Sequence, residues 1–523
     1  MSNCHISLPS QSRMLQPISP INRIPNELLV IILTYTCTKN SIIDPKRRYS
    51  MHVSAVCSLW RELALSYPTL WSQFEVFLGG DPEDSDYESD ADDPPQAKAR
   101  VNTFYRQLEC ILDIYLERSK QELLSVRIDA SLIWVNGEHP VFAKLARSSF
   151  RWKSVDFSVY LLLLHLYPSL KELQLPELET ASIFQEGDEE QGALSIFAHA
   201  PKLRCLEIGF GGFSLEPTVL NSITKLECCP DSDDFYHMLE MCPNLQHLTI
   251  LDIPLSREDQ NLISDPPRKL SILSLKVSAT RLSSQPKLFQ ATLLSFIAPS
   301  LTALTIGLNE YGLLSKRRKL NFEISALAIE LFLARSKCTL TTLTLDGILM
   351  TDVDVVNLLE CVPSVQELTI RDPPLIGKTL KHSPPVSKHL CRSLNPNLSD
   401  KDIPILPCLR SLTLKSRSKN FDSEEFISTV RSRWLPDVDA ASKVGIQCLR
   451  SIELYFRHPF QGTHYLPLNL IEESGMRVVV KLESEEMRFF EIHSEEEEVN
   501  SDAEEENSYE DGSTSELGSD DVE

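Results

Sequence analysis

The chain has 523 residues, of which 42% are hydrophobic, so it is long and apolar enough to bury an extended core. Its formal net charge of −23 is concentrated in two segments, because residues 81–93 contain eight acidic residues and residues 495–523 contain fourteen, with no Lys or Arg in either. The rest of the chain is close to neutral and lacks the basic field that nucleic acid requires. Since no apolar run approaches the ~20 residues of a membrane helix, we expect neither a nucleic-acid nor a membrane partner.

The motifs that usually accompany enzymatic or metal chemistry are missing from the sequence. The 13 cysteines form no Cys-x-x-Cys pair, and no His-Glu-x-x-His, Gly-x-Ser-x-Gly or phosphate-loop motif is present. We therefore expect no cofactor and no enzymatic activity. With no secretory signal visible, we interpret the cysteines as reduced thiols of an intracellular protein. The compartment stays open between cytoplasm and nucleus, because Lys316-Arg317-Arg318-Lys319 is typical of either a nuclear import signal or a solvated loop.

Residues 19–75 indicate a compact helical domain, after a leader at residues 1–18 that we expect to be disordered. Pro25 suits the first turn of a helix. Apolar residues then recur at helical spacing, at Leu28, Leu29, Ile32 and Leu33. Residues 40–48 are predicted to form a loop. A second helix is predicted from about Tyr49, with one apolar stripe made of Val53, Val56, Cys57 and Trp60.

Two acidic segments lie on either side of residues 101–482. Residues 79–99 are predicted to be a linker, and residues 483–523 a disordered tail, because both are too polar to bury a core. After the linker, apolar residues from Phe104 to Leu116 recur at helical spacing. We expect an amphipathic helix there, leading into the region that follows.

Residues 101–482 contain a recurring phrase, Pro-x-Leu-x-x-Leu-x-(Leu/Ile), which predicts an array of strands. The phrase begins at Pro168, Pro201, Pro243, Pro299, Pro363 and Pro407, and versions without the proline begin at Leu123, Trp152, Ile223, Leu270, Leu340 and Leu449. The mean spacing of about 30 residues lies just above the ~20–29 residues of leucine-rich repeats. Residues 476–480 are predicted to add a closing strand.

Helical patterns lie between the phrases, at residues 233–241, 325–334 and 352–360. The predicted N-caps are Asp233, Ser325 and Asp352, and Ser423 for a further helix. Because strand, turn and helix alternate, the sequence predicts an α/β fold. It would consist of a small N-terminal helical domain followed by an irregular leucine-rich-repeat solenoid, or horseshoe.

The repeat phrase also predicts which side chains face a partner. In Leu-x-Leu the two leucines point to one face of the strand and the residue between them to the other. The polar face of a solenoid commonly holds another protein, although any single residue there can simply solvate the strand. The candidates for contact with a target protein are Arg127, Lys225, Glu227, His247, Arg371 and Lys415.

Three short motifs follow one another in the N-terminal domain. They are Ile24-Pro25-Asn26-Glu27, Val56-Cys57-Ser58-Leu59-Trp60-Arg61 and Leu70-Trp71. Together they resemble the F-box, which typically opens with Leu-Pro-x-Glu and carries Val-Cys-x-x-Trp in a later helix. The whole chain looks like the fungal F-box proteins with degenerate leucine-rich tails. It departs from that pattern at Ile24, where the family has Leu, and at residues 39–50, a longer and more basic insertion.

The resemblance implies a substrate-recognition subunit of a Skp–cullin–F-box ubiquitin ligase. The N-terminal helices would dock on a Skp-family adaptor, which binds a cullin, and the leucine-rich region would hold an unknown target protein. The implied adaptor-binding surface consists of Ile24, Pro25, Leu28, Ile32, Leu33, Val56, Cys57, Trp60 and Leu63. Three alternatives stay open: a leucine-rich scaffold that promotes no degradation, an N-terminal domain that is only a helical cap on the solenoid, and an enzyme with a solenoid body.

Overall fold

The computed structural model describes most of the chain in two compact units. We call Met1–Ser222 unit 1 and Ile223–Glu523 unit 2. The described residues are 20–78, 94–130, 140–159, 169–170, 173–185, 197, 200–208, 217–228, 238–251, 267–279, 290, 292–308, 326–373, 384–398, 403–419 and 421–483. The predicted leader, residues 79–93 of the linker, the Lys316–Lys319 cluster, the N-caps Asp233 and Ser325 and residues 484–523 of the tail lie outside them. None of the helices in these ranges is long and apolar enough to cross a membrane.

Unit 1 combines helices with a parallel sheet. Its helices are α1 (Asn26–Thr36), α2 (Tyr49–Val56), α3 (Ser58–Ser66), α4 (Pro94–Arg118), α5 (Pro140–Ala146) and α6 (Pro217–Leu220). Its strands are β1 (Asn40–Ser41), β2 (Gln73–Phe77), β3 (Leu124–Ala130), β4 (Trp152–Val159), β5 (Thr180–Gln185) and β6 (Cys205–Ile208). Short 3₁₀-helices occupy Pro20–Arg23, Cys37–Lys39, Pro45–Arg47, Pro68–Trp71 and Ser149–Arg151.

The strands of unit 1 pair in chain order, and every pair is parallel. Alternate residues of β2 are buried, at Phe74 and Val76, because one face of a strand packs on the core. The first two strands, β1 and β2, come from the segment that the sequence predicts to be a purely helical domain. The helical segment and the sheet therefore share one core.

The prediction of a single second helix is wrong, because this segment forms two helices, α2 and α3. Cys57 has extended backbone dihedrals (φ −157°, ψ 174°), so the chain turns there and the two helices pack against each other. The side chain of Arg61 stabilises the turn, since its Nε donates to the carbonyl of Ser54 at 2.9 Å, near the end of α2.

Asn40, in the predicted loop, is fully buried and joins four parts of unit 1. Its side-chain nitrogen donates to the carbonyl oxygens of Cys37 (2.6 Å), Gln73 (3.1 Å) and Leu70 (3.3 Å). Its side-chain oxygen accepts from the amide (2.9 Å) and hydroxyl (3.0 Å) of Ser50 and from the Tyr115 hydroxyl (3.2 Å). Residues 39–50 are thus an integral part of the fold, with Asn40 linking α2, α4 and the residues on both sides of Trp71.

Unit 2 repeats one arrangement of strand and helix. Its helices are α7 (Ala326–Ser336), α8 (Asp352–Glu360), α9 (Lys388–Leu394), α10 (Ser423–Arg433), α11 (Val438–Val444) and α12 (Asn469–Glu473), with a 3₁₀-helix at Gly462–Leu468. Its strands are β7 (Lys225–Cys228), β8 (His247–Leu251), β9 (Arg268–Lys269), β10 (Ser274–Ala279), β11 (Phe296–Ile297), β12 (Ala303–Leu308), β13 (Thr342–Asp346), β14 (Glu367–Arg371), β15 (Ser411–Ser416), β16 (Ser451–Phe456) and β17 (Arg477–Leu482).

The strands of unit 2 form one long parallel sheet in chain order, while β9 and β11 pair separately. The leucine positions of the repeat phrase lie side by side and are buried: Leu226, Leu248, Leu275, Leu304, Leu343, Leu368, Leu412 and Ile452. Helices α7 to α10 pack against one another in chain order. The core of the unit therefore lies between the leucine face of the sheet and the helices, as the alternation of the phrase predicts.

Every predicted phrase except one leads into a strand. The exception begins at Pro168: Leu173 and Leu175 are buried but not in a strand, and β5 begins only at Thr180. Ala181 and Ile183 fill the core positions next to Val155 and Phe157 instead. The prediction of a strand at Leu173–Leu175 is therefore wrong: Thr180–Gln185 takes that place in the ladder, between β4 and β6.

Several element boundaries differ slightly from prediction. Helix α4 begins at Pro94, inside the predicted linker. The N-caps of α8 and α10 are Thr351 and Asp422, one residue earlier than predicted, because their side chains accept from the backbone amides three residues on. The predicted closing strand is confirmed as β17, which pairs with β16.

Candidate protein-binding surfaces

One side of α1 exposes large apolar side chains to solvent. We call Leu28, Ile31, Ile32 and Tyr35 the α1 face: their spacing places them on one side of the helix, and the exposed fraction runs from about half for the first three to 78% for Tyr35. The buried side consists of Leu29, Val30 and Leu33. Clustered large apolar side chains on a protein surface often mark a binding site, so the α1 face favours a protein partner.

A second exposed apolar set lies at the turn between α2 and α3. Val56 is 61% exposed, Cys57 is exposed, and Trp60 is half-buried on the first turn of α3. At the start of α1, Ile24 is half-buried and Pro25 is exposed. The predicted adaptor-binding residues Ile24, Pro25, Leu28, Ile32, Val56, Cys57 and Trp60 are therefore all at least partly accessible to a partner.

Leu33 and Leu63 are the exceptions among the predicted adaptor-binding residues. Both are buried inside unit 1, so neither contacts a partner directly in this conformation. Leu33 lies on the inner side of α1, and Leu63 precedes Ala64, whose carbonyl accepts the indole N–H of Trp71 at 2.7 Å. The prediction that these two leucines form the docking surface is corrected: they belong to the core beneath it.

The helices α1 and α3 pack against the 3₁₀-helix Pro68–Trp71, which carries a buried aromatic cluster. Trp71 is fully buried, the guanidinium carbon of Arg118 lies 4.5 Å from its ring centroid, and Tyr115 packs edge-on at 5.3 Å. Burial raises the pKa of the Tyr115 hydroxyl, which stays a neutral hydrogen-bond donor to Asn40. A preorganised cluster of this kind lowers the entropic cost of binding.

The second candidate surface is the outward face of the sheet in unit 2, which we call the polar strand face. Its middle row, one residue from each neighbouring strand in register, consists of Glu227, Thr249, Lys276, Thr305, Thr344, Thr369, Thr413 and Glu453. Four threonines stand on consecutive strands in this row, and neighbouring threonines on adjacent strands stabilise a sheet. The face is mostly polar, with Val479 on β17 and Leu251 on β8 as apolar exceptions, and is suited to contact with water.

Three of the predicted target-binding residues come together at the first strands of this face. Lys225 on β7 and His247 on β8 are neighbours in register, and both are exposed. Glu227 lies two residues further along β7 and is half-buried. Arg127 belongs to unit 1, where its Nε donates to Asp156 at 2.6 Å; this hydrogen bond raises the pKa of Arg127.

Arg371 is wrongly predicted as a contact residue. It is buried at the end of β14, with Asp346 at 3.3 Å and Glu483 at 3.8 Å. A buried guanidinium between two carboxylates stabilises this end of β14, because removing one partner would leave an uncompensated charge. Arg371 is therefore unavailable to a target protein in this conformation.

Lys415, the last predicted contact residue, belongs to a cluster that the sequence analysis missed. Its ammonium nitrogen lies 5.8 Å from the ring centroid of Tyr455 on the next strand, and Lys481 on the strand beyond lies 5.4 Å from the same ring. Aligning the phrases that begin at Pro407 and Leu449 would have placed Lys415 beside Tyr455, whereas the position of Lys481 follows from the pairing of β17, which carries no such phrase.

Asp372 is a buried carboxylate near the same end of the sheet. It accepts from the amides of Val386 and Arg417, both at 2.9 Å, and from the Ser416 hydroxyl at 3.3 Å. Burial raises the pKa of Asp372 to about 6, against the opposing effect of these hydrogen bonds and of the Arg417 charge. Its role is to fix the chain at Val386 and Arg417 to the end of β14.

A cleft of about 460 Å³ lies beside the start of α9. Lys388 and Asp422 line it and pair with each other at 2.7 Å, while Asp352 accepts from the Ser387 hydroxyl at 2.8 Å. Lys388, Asp422 and Asp352 thus already have partners within the fold. Over the described ranges, no three His, Cys, Asp or Glu side chains are grouped as a metal site.

Comparison with known proteins adds no family assignment, because no protein-family model and no curated protein sequence matches the chain.

Proposed function

We propose that this protein is the substrate-recognition subunit of a Skp–cullin–F-box ubiquitin ligase. The observation that carries the proposal is the α1 face: a stripe of large apolar side chains that stays exposed on a helix whose other side is packed in the core. Helix faces of this kind commonly dock on other proteins. The F-box-like motifs of residues 24–71 supply the kind of partner, a Skp-family adaptor.

The repeats after the helical segment support the second half of the proposal. The parallel strands, the buried leucine rows and the helices between them are what a leucine-rich-repeat solenoid requires. In the proposed mechanism this region holds a target protein while the adaptor links the chain to a cullin. Tethering raises the concentration of target lysines near the conjugating enzyme, and this chain supplies no catalytic group.

The test is co-purification of the full chain with a Skp-family adaptor. Changing Leu28→Asp together with Ile32→Asp should weaken the binding by about 100-fold or more, because two charges would be buried in an apolar interface. The matched control is Leu327→Asp together with Leu331→Asp, which places the same two charges at leucines of α7 that are 58% and 42% exposed. The control should bind the adaptor as the wild type does.

Two outcomes would contradict the proposal. If the wild-type chain binds no Skp-family adaptor, the α1 face serves another partner and the protein is a leucine-rich scaffold. If the adaptor binds but no ubiquitin accumulates on a captured partner in the reconstituted ligase, the protein assembles with the adaptor without promoting degradation.

A further inference from the structure

Three residues on neighbouring strands of unit 2 form a basic cluster on the polar strand face. We call Lys415, Tyr455 and Lys481 the lysine row: they are partners in register on β15, β16 and β17. Because β15 and β17 flank β16, the two ammonium groups approach the Tyr455 ring from both neighbouring strands, at 5.8 and 5.4 Å. A cation near an aromatic ring is stabilised, so the row can hold two like charges close together.

Glu453, a carboxylate on the same face, is engaged by groups other than the two lysines. Glu453 Oε2 accepts from the Tyr455 hydroxyl at 2.9 Å, and its Oε1 lies 2.8 Å from Nη2 of Arg477. The charge of Glu453 is therefore balanced by Arg477, while its hydrogen bond fixes the phenol ring. Within the described ranges, neither Lys415 nor Lys481 has a carboxylate oxygen within 4.0 Å.

The next charged residue of the same row brings two carboxylates with it. Arg371, beside Lys415 on β14, is buried with Asp346 and Glu483, a group with one net negative charge. The two lysines and this group together therefore keep a net charge of +1, and the accessible positive charges are the ammonium groups of Lys415 and Lys481. A positive potential of this kind attracts acidic segments of protein.

The same chain contains a segment of complementary charge. Residues 495–523 contain fourteen acidic residues and no Lys or Arg, and Glu495–Glu498 is an uninterrupted acidic run. The link to this segment leaves the sheet at Glu483, whose amide donates to the carbonyl of Phe456 at 2.9 Å, two residues after Lys481. The residues between Glu483 and Glu495 have a reach of up to roughly 40 Å, which is long enough for the segment to contact the row, and their covalent link makes that contact an intramolecular one.

We propose that the lysine row binds carboxylates of the chain's own acidic segment, residues 495–523. A target protein that uses this part of the polar strand face must displace the segment, and only a partner with comparable negative charge competes well. The inference does not depend on the adaptor proposal, because it concerns unit 2 alone.

The test is zero-length cross-linking of the full chain with a carbodiimide. This reagent joins a lysine amine to a carboxylate in direct contact as an amide, with loss of water, and mass spectrometry locates the link. We expect Lys415 and Lys481 to be linked to residues 495–523 about threefold or more as often as Lys276. Lys276 is the matched control, since it is exposed on the same face but has Thr249 and Thr305 as its neighbours.

Two further measurements separate contact from chance encounters. Raising the salt from about 0.1 M to about 1 M shortens the screening length from about 10 Å to about 3 Å and should remove the excess over Lys276. A full-length variant with Gln at Glu495, Glu496, Glu497 and Glu498 should lose about half or more of the excess links, because the nearest run of carboxylates is gone.

The outcomes that overturn the inference are distinct from those that overturn the adaptor proposal. Equal linking of the lysine row and Lys276 would mean that the row does not hold the segment. Links between isotopically light and heavy copies in a mixed sample would make a second molecule the occupant. Changing Leu28→Asp and Ile32→Asp should leave the cross-links unchanged, whatever its effect on the adaptor.

Discussion

The α1 face and the polar strand face are both open to solvent, yet they are built in opposite ways. The α1 face presents leucine, isoleucine and tyrosine on a helix, whereas the polar strand face presents threonine and charged residues on in-register strands. Exposed apolar area is unfavourable in water, at about 25 cal/mol for each Å², so the α1 face gains free energy when a partner covers it. The polar strand face is stable uncovered and must bind through charge and hydrogen bonds.

In both units, the residues that stabilise the fold differ from those that face a partner. The stabilising residues of unit 1 are buried beneath the exposed apolar side chains, and those of unit 2 lie at the strand ends and in the leucine rows. A surface residue can therefore be changed to test binding while a buried neighbour reports on folding. The predictions below use such pairs.

The largest effect is expected at Asn40, which supports the helical segment from inside. Asn40→Ala removes all the hydrogen bonds of the side chain and leaves the buried groups around it unpaired, so the free energy of unfolding should fall by about 4 kcal/mol. Urea denaturation measures this change. Asn357→Ala, at an exposed position on α8, is the control and should change stability by less than about 0.5 kcal/mol. A similar small change for Asn40→Ala would mean that residues 39–50 do not hold unit 1 together.

The next effect concerns the pH dependence of unit 2 through Asp372. Its raised pKa of about 6 means that the folded state binds this proton more tightly than the unfolded chain. The stabilisation is complete below the unfolded pKa and is lost as the pH rises through about 6. Relative to Asp372→Asn, the wild type should therefore lose about 2 kcal/mol between pH 4 and pH 7.

Urea denaturation of the wild type and of Asp372→Asn at intervals across this range measures the difference. Any constant offset caused by the new amide cancels, because only the slope with pH matters. A difference that does not change from pH 4 to pH 7 would show that Asp372 titrates at the same pH in both states.

These residues also show what the sequence could predict. The strands followed from the repeat phrase because the alternation of leucines is local, and all but the phrase at Pro168 were placed. Asn40 was missed because its partners Leu70, Gln73 and Tyr115 are distant in the sequence. The burial of Leu33, Leu63 and Arg371 was missed for the same reason. The periodicity of a helix or strand predicts which residues share a face, but it does not predict which other part of the chain covers that face.

A smaller effect is expected at Gly307, where two strands of the polar face approach closely. A Cβ atom added here would meet Cβ of Asp346 at 3.0 Å and its carbonyl oxygen at 3.1 Å. Gly307→Ala should therefore lower the free energy of unfolding by about 1–2 kcal/mol, because neighbouring strand backbone must move. Gly462→Ala is the control, with nothing within 4 Å of the added atom. Equal stability of the two variants would show that β12 and β13 adjust without cost.

The smallest change in stability is expected for Leu28→Ala, although Leu28 lies on the face proposed to bind the adaptor. Leu28 and Leu29 are consecutive on α1, but Leu28 is 53% exposed and Leu29 is buried. Leu28→Ala should change the free energy of unfolding by less than about 0.5 kcal/mol, whereas Leu29→Ala should cost about 3 kcal/mol through the cavity it leaves. Thermal or urea unfolding of both variants provides the comparison. If Leu28→Ala destabilises the protein as much as Leu29→Ala, the α1 face is packed against the protein itself, and the apolar stripe no longer points to a partner.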